Sequence, residues 1–136
     1  GELNRSYLSS VVFNDAEKLQ LLNSIVHPAT ITAAEKWMQP QHAPYTLKEA
    51  ALIFESGAQQ HLDYVIGVFA PVSLRIQRVM QRDKITREEV MARMTKQIDE
   101  TVKMRLCDYV IKNDELELVI PQVIELHKQL LSLTQK

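Results

Sequence analysis

At 136 residues the chain is long enough for one domain with one core, and its 46% hydrophobic and 24% charged residues are those of an ordinary globular protein. A formal net charge of −1 excludes a global field that would gather nucleic acid or anionic lipid, so any anion must be held locally. The single cysteine, Cys107, excludes an intrachain disulfide and a cysteine-based metal cluster, and no apolar run approaches the ~18 residues of a membrane span.

The polar start, GELNRSYLSS, lacks the apolar centre of a signal peptide, which points to the cytoplasm. Leu8, Val11 and Val12 fall at helical spacing, so Asn4 to Asp15 is expected to be a short helix, with Asp15 capping the next one. That next helix carries Leu19, Leu22, Ile25 and Val26 on a stripe and should kink or restart at Pro28 before running to Met38. Gln39 to Tyr45 holds two prolines and no periodicity, and is expected to be a loop.

The pattern then changes. AALIFES (50–56) and YVIGVFAP (64–71) are short, continuously apolar runs ending in Gly57 and Pro71, and both read as buried parallel strands. Val72 to Arg82 is expected to be a helix with Val72, Ile76, Val79 and Met80 inward. TREE (86–89) is a capping box, followed at four-residue spacing by Val90, Met94, Ile98, Val102 and Leu106. YVIKN (109–113) is a third strand. Pro121 suits the first turn of a last helix that buries Val123, Ile124, Leu126, Leu130 and Leu131. Strands alternating with helices mean an α/β fold with a parallel sheet, whose ligands sit beyond the carboxyl ends of the strands. Glu55, the arginine-rich segment 78–97 and Asn113 all fall at such ends.

Arg75, Arg78 and Arg82 share one helix face, and Arg93 lies on the element after a short hinge. Guanidinium groups on two such elements could close on a phosphate, which they bind bidentately and without losing charge. The same residues could equally be solvated and paired with Asp83, Glu88 and Glu89. Other polar residues carry similar alternatives. His27 beside Pro28 fits a local hydrogen bond or a ligand contact, and Trp37 fits packing or stacking on a base. Cys107 reads as a small buried hydrophobe, and Glu55 as either a functional carboxylate or a plain strand end. His42, His61 and His127 lack metal-ligand spacing, and no metal ligand is assigned in the chain.

LIFESG, then DYVIGVFAPVSLRIQRVMQRDKITREEVMARMTKQ, then CDYVIKND together resemble the dephospho-CoA kinase family, as do GELNRSYLSSVVF and LLNSIVHP upstream. The resemblance covers almost the whole chain in order. It implies a P-loop kinase-like parallel sheet with a helical acceptor-binding insertion (1–46) and a partial kinase core (47–136) that includes a mobile lid (78–97). It implies transfer of the γ-phosphoryl group of ATP, with Mg²⁺, to the ribose 3′-hydroxyl of dephospho-CoA. Carried onto this sequence, Arg82 and Arg93 would face the phosphates and Glu55 the acceptor or the magnesium water shell. Arg5, His27 and Arg78 would bind substrate, and Asn113 would line the adenine.

The chain contains no G-x-x-x-x-G-K-S/T motif, its glycines being Gly1, Gly57 and Gly67. In the family pattern that loop and its strand precede residue 1, so the chain is expected to be part of a longer protein and to be inactive alone. The resemblance puts the central P-loop strand between 50–56 and 64–71, with 109–113 beyond 64–71. Its absence leaves three expected outcomes: the gap filled by a partner chain or swapped element, direct pairing of its two neighbours, or a damaged sheet in a largely helical chain. A non-catalytic binding or scaffold domain derived from a P-loop kinase, or a kinase for another small molecule or nucleotide, are the competing readings.

Overall fold

The helix starts follow from local chemistry. A computed structural model describes residues 3–12 and 15–134, in two units, Gly1–Lys48 and Glu49–Lys136. In the first unit, the Asn4 side chain accepts the Tyr7 N–H at 3.0 Å and opens helix α1 (Arg5–Val12). Its expected continuation through residues 13 and 14 lies outside the described residues. Asp15 caps helix α2 (Ala16–Met38), accepting the Lys18 N–H at 3.0 Å and pairing with Lys18 Nζ at 2.8 Å. These Lys18 contacts hold the Asp15 carboxyl below its ordinary range. The helix does not restart at Pro28: α2 runs through the proline as one helix. A proline inside a helix removes a single N–H, and the turn around it is supported by Thr30, whose hydroxyl donates to the Val26 and His27 carbonyls at 2.9 Å.

The second unit holds a two-stranded parallel sheet. Strand β1 (Ile66–Phe69) leads into α3 (Val72–Asp83), α4 (Arg87–Met94) and α5 (Glu100–Arg105), and the chain returns as β2 (Tyr109–Lys112) before α6 (Val119–Thr134). The register pairs Ile66 with Tyr109 and Phe69 with Lys112. Asp108 fastens the start of the ladder: its Oδ2 accepts the Val65 N–H at 2.7 Å, and its own N–H donates to the Val65 carbonyl at 2.9 Å. Gly67 lets α5 approach. A Cβ there would lie 2.8 Å from Cys107 Sγ and 2.9 Å from Met104 Sδ, closer than side chains tolerate. Ala58, Val65, Ala70, Ile76, Val90 and Leu126 form the buried core. The Thr86–Glu89 capping box is present at the head of α4, and Pro121 stands in the first turn of α6.

Three expectations are corrected. Residues 50–56 are not a strand and join neither β1 nor β2. They form a helical-type turn in which Ser56 N–H donates to the Leu52 carbonyl, Gly57 N–H to Phe54 and Ala58 N–H to Ile53. The last two bonds, with Gly57 at φ 72°, are those of a Schellman cap. Without a neighbouring strand the backbone closes on itself, so the sheet is the reduced one of the three expected outcomes. The four-residue pattern from Val90 to Leu106 also does not give one helix. Asp99 accepts the Thr101 and Val102 N–H groups and starts a new one, leaving Val102 and Leu106 exposed. Finally, Val72, Val123 and Ile124 face solvent, each between 45% and 49% exposed, because α3 and α6 each bury a narrow stripe centred on Ile76 and Leu126.

Candidate functional site

The segment after β1 is an arm of two helices, α3 and α4, joined by Lys84, Ile85 and Thr86. Lys84 ends α3 in the left-handed region at φ 56°, which turns the chain sharply. That turn brings Arg82 and Arg93 onto one carboxylate. Arg82 Nε donates to Asp83 Oδ1 at 2.7 Å and its Nη2 to Oδ2 at 3.3 Å, while Arg93 Nη1 reaches Oδ2 at 3.0 Å. The Arg82 hydrogen bond, then Arg93, holds the Asp83 carboxyl below its ordinary value, and Asp83 in turn raises Arg82. The arginine side chains are 74% and 52% exposed, so water competes for both ends of the pairs. The ion-pair alternative is thus realised through Asp83. Glu89 is engaged in the capping box instead, accepting the Thr86 N–H at 2.8 Å.

Arg78 lies one turn earlier and joins the end of β2. Its Nη1 donates to the Asn113 carbonyl at 3.1 Å, and its Nη2 to Asn113 Oδ1 at 3.3 Å and Glu115 Oε1 at 3.1 Å. Asn113 N–H continues the ladder to the Phe69 carbonyl at 2.8 Å. Two residues singled out separately in the sequence therefore form one contact beyond the strand ends.

Glu55 sits apart from that contact. Its Oε1 accepts the Ile98 N–H at 3.0 Å and pairs with Lys103 Nζ at 3.1 Å, while its Oε2 is buried with no hydrogen-bond partner. Burial pushes its pKa up, but the Ile98 N–H and the Lys103 ammonium outweigh burial and hold it below the ordinary value. Lys103 was not legible as a partner, because nothing local links it to Glu55. Nearby, Arg75 Nη1 lies 2.7 Å from Glu100 Oε2. Arg75, Glu100 and Lys103 line a cleft of about 260 Å³ with Ile53, Phe54 and the edge of β1.

In the first unit, Arg5 is exposed at the head of α1, and half-buried His27 lies within α2. Trp37 is 57% exposed and lines a hollow with Ala34, Met38, Leu47 and Lys48. Among the described residues no group of three or more His, Cys, Asp or Glu gathers where it could hold a metal ion. No helix among them is long and apolar enough to cross a membrane.

The family model of dephospho-CoA kinase matches residues 1–117. The dephospho-CoA kinase of Staphylococcus saprophyticus is 37% identical over 127 residues, which cover 92% of this chain and 62% of the relative. That of Mannheimia succiniciproducens is 31% identical over 141 residues, covering 100% of this chain and 66% of the relative. A crystal structure from Thermus thermophilus is similar at a TM-score of 0.81 and 32% identity, covering 97% of this chain and 68% of that one. A dephospho-CoA kinase from Campylobacter jejuni gives 0.59 at 31% identity, covering 98% and 67%. The chain spans 62% and 66% of the two curated relatives. A family match over residues 1–117, with a relative 37% identical across 92% of the chain, settles the kinship: the chain belongs to the dephospho-CoA kinase family.

Proposed function

We propose that this chain is the acceptor-binding and lid portion of a cytoplasmic enzyme that phosphorylates the ribose 3′-hydroxyl of dephospho-CoA with ATP, the last step of coenzyme A synthesis. The observation that carries the reading is the convergence of Arg82 and Arg93 across the α3–α4 hinge, in a chain whose family match covers residues 1–117. Permanently charged, forked donors on two elements suit the oxygens of a phosphoryl group and stabilise charge as it moves. Arg82 and Arg93 hold the phosphates in this reading, and residues 78–97 close over them to exclude water that would otherwise accept the phosphoryl group. Arg78 orients substrate from the strand ends, where its bond to Asn113 also fixes the loop that lines the adenine. Arg5 and His27, in the helical unit 1–46, bind the acceptor. Glu55 serves the acceptor side or the magnesium water shell through its carboxylate. Mg²⁺ would be held here mainly by nucleotide phosphates and water, and would supply charge neutralisation on the phosphates, since such ions are commonly held by few protein ligands. The sequence holds no phosphate-cradling glycine loop, so these residues act beside one supplied in a longer polypeptide.

The test is an acceptor comparison on a polypeptide that carries these residues together with such a loop. With ATP and Mg²⁺ it should convert dephospho-CoA to CoA and leave nucleoside monophosphates untouched. Arg82→Ala should cut turnover roughly tenfold or more. Preference for a nucleotide acceptor would favour another kinase, and no transfer to any acceptor would favour a binding domain. Unchanged turnover in both Arg82→Ala and Arg93→Ala would remove the arginines from the mechanism.

A further inference from the structure

We infer that Asp83 is an internal stand-in for phosphate: its carboxylate gathers the Arg82 and Arg93 guanidinium groups, and an incoming polyphosphate must displace it from at least one of them. The inference rests on the proposed role of the two arginines and adds a positioning residue that sets how tightly they take an anion.

The geometry is that of a phosphate grip with a carboxylate in it. Arg82 meets Asp83 through two parallel donors, Nε to Oδ1 at 2.7 Å and Nη2 to Oδ2 at 3.3 Å. Arg93 comes from the other helix to share Oδ2 at 3.0 Å. A planar, bidentate acceptor bridged by a second guanidinium is the arrangement these groups adopt on phosphate oxygens. The Asp83 side chain is 25% exposed against 74% and 52% for its partners, so the carboxylate is the enclosed member and the arginines can swing outward. Lys84, held at φ 56°, follows immediately, so the anchor sits beside the hinge on which the arm would move. On α4, Glu89 is committed to the Thr86 N–H and cannot take over the arginines without opening the capping box.

A carboxylate that merely braces the α3–α4 angle and one that occupies the anion position make opposite predictions. Losing a brace disorders the arginines and weakens anion binding. Losing a competitor strengthens it, since the same two positive groups then face the anion with one fewer negative charge. The stand-in also supplies a physical gain. Two guanidinium groups brought together with no anion between them repel, and Asp83 keeps them gathered before substrate arrives.

The measurement is calorimetric titration of the chain with inorganic tripolyphosphate at low salt, where surface charge effects are least screened. Asp83→Asn, which keeps shape and removes charge, should bind roughly three- to tenfold tighter than the parent chain. Asp83→Glu should bind like the parent. Arg82→Ala and Arg93→Ala should each bind more weakly. If the arginine variants lose affinity but Asp83→Asn shows no gain, with helical content and melting unchanged, the stand-in role is overturned and the arginine assignment survives. If the arginine variants bind as the parent does, both fall together. No detectable binding by any variant, Asp83→Asn included, also overturns the inference.

Discussion

Glu55 and Lys103 meet with side chains only 18% and 13% exposed, far from each other in sequence, and a backbone N–H completes the carboxylate's partners. Replacing Glu55 with Gln leaves the Lys103 ammonium without its counter-charge in a largely enclosed place. Discounting for the remaining exposure, the cost is about 1–3 kcal/mol, read by urea unfolding. The pH dependence follows from the lowered pKa. Folding favours the Glu55 carboxylate, so this stability is full above the ordinary value of 4.5 and is lost as pH falls through the lower folded value. Below pH 4.5 the parent chain should therefore lose stability more steeply than Glu55→Gln. Parallel curves would show that the pair contributes nothing. Since Ile98 lies immediately before the Asp99 cap of α5, the same bond fixes the return from the arm to the core. Glu55 therefore has a structural task whether or not it also serves chemistry.

At the level of elements, the contact between α5 and β1 depends on a missing side chain. Gly67 faces Cys107 Sγ and Met104 Sδ at distances that leave no room for a methyl group. Cys107 is further tethered, its Sγ donating to the Lys103 carbonyl at 3.3 Å, and burial raises its pKa first among several causes. Gly67→Ala should accordingly cost about 1–3 kcal/mol by overpacking, as a drop in the urea midpoint. Met104→Ala in the same chain should recover part of the loss, because one of the two obstructing side chains is flexible and removable. An equal loss with and without Met104 would place the strain elsewhere. Gln122 works on the opposite strand: its amide accepts the Lys112 N–H at 2.8 Å and donates to the Lys112 carbonyl at 3.0 Å. That pair imitates a neighbouring strand and covers part of the outer edge of β2.

Across the whole molecule, the outer edge of β1 is open. Val65 and Phe69 carbonyls accept from β2, and backbone direction alternates along a parallel strand, so Ile66 and Val68 point their backbone groups the other way. Among the described residues no strand takes them. The cleft between this edge and the 50–54 turn lies where the family resemblance expects the central strand. Amide exchange should show it: the Val68 N–H should exchange faster than that of Gly67 in this chain. It should become protected in a longer polypeptide that supplies a strand there. Equal protection in both would mean the edge is already covered. Leu21 and Ile25 on α2 are each 63% exposed and Ile120 on α6 is 73% exposed, and neither α1 nor α2 contributes a buried residue.

The sequence by itself determined what depends on neighbours three or four residues away. Asp15 and Thr86 with Glu89 mark helix starts because a side chain reaches an N–H one turn on, and β1 and β2 declare themselves by apolar runs closed by Pro71 and Asn113. The arginine cluster was legible for the same reason, since α3 aligns Arg75, Arg78 and Arg82 on one face. Tertiary structure decided the rest. Residues 50–56 have the composition of a strand, but a strand exists only where another backbone lies alongside, and here Gly57 closes a turn instead. The pairing of Glu55 with Lys103 and of Arg78 with Asn113 required chain segments far apart in sequence to meet. So did the meeting of Arg82 and Arg93 on Asp83, which depends on the left-handed turn at Lys84, a conformation that a lysine does not advertise.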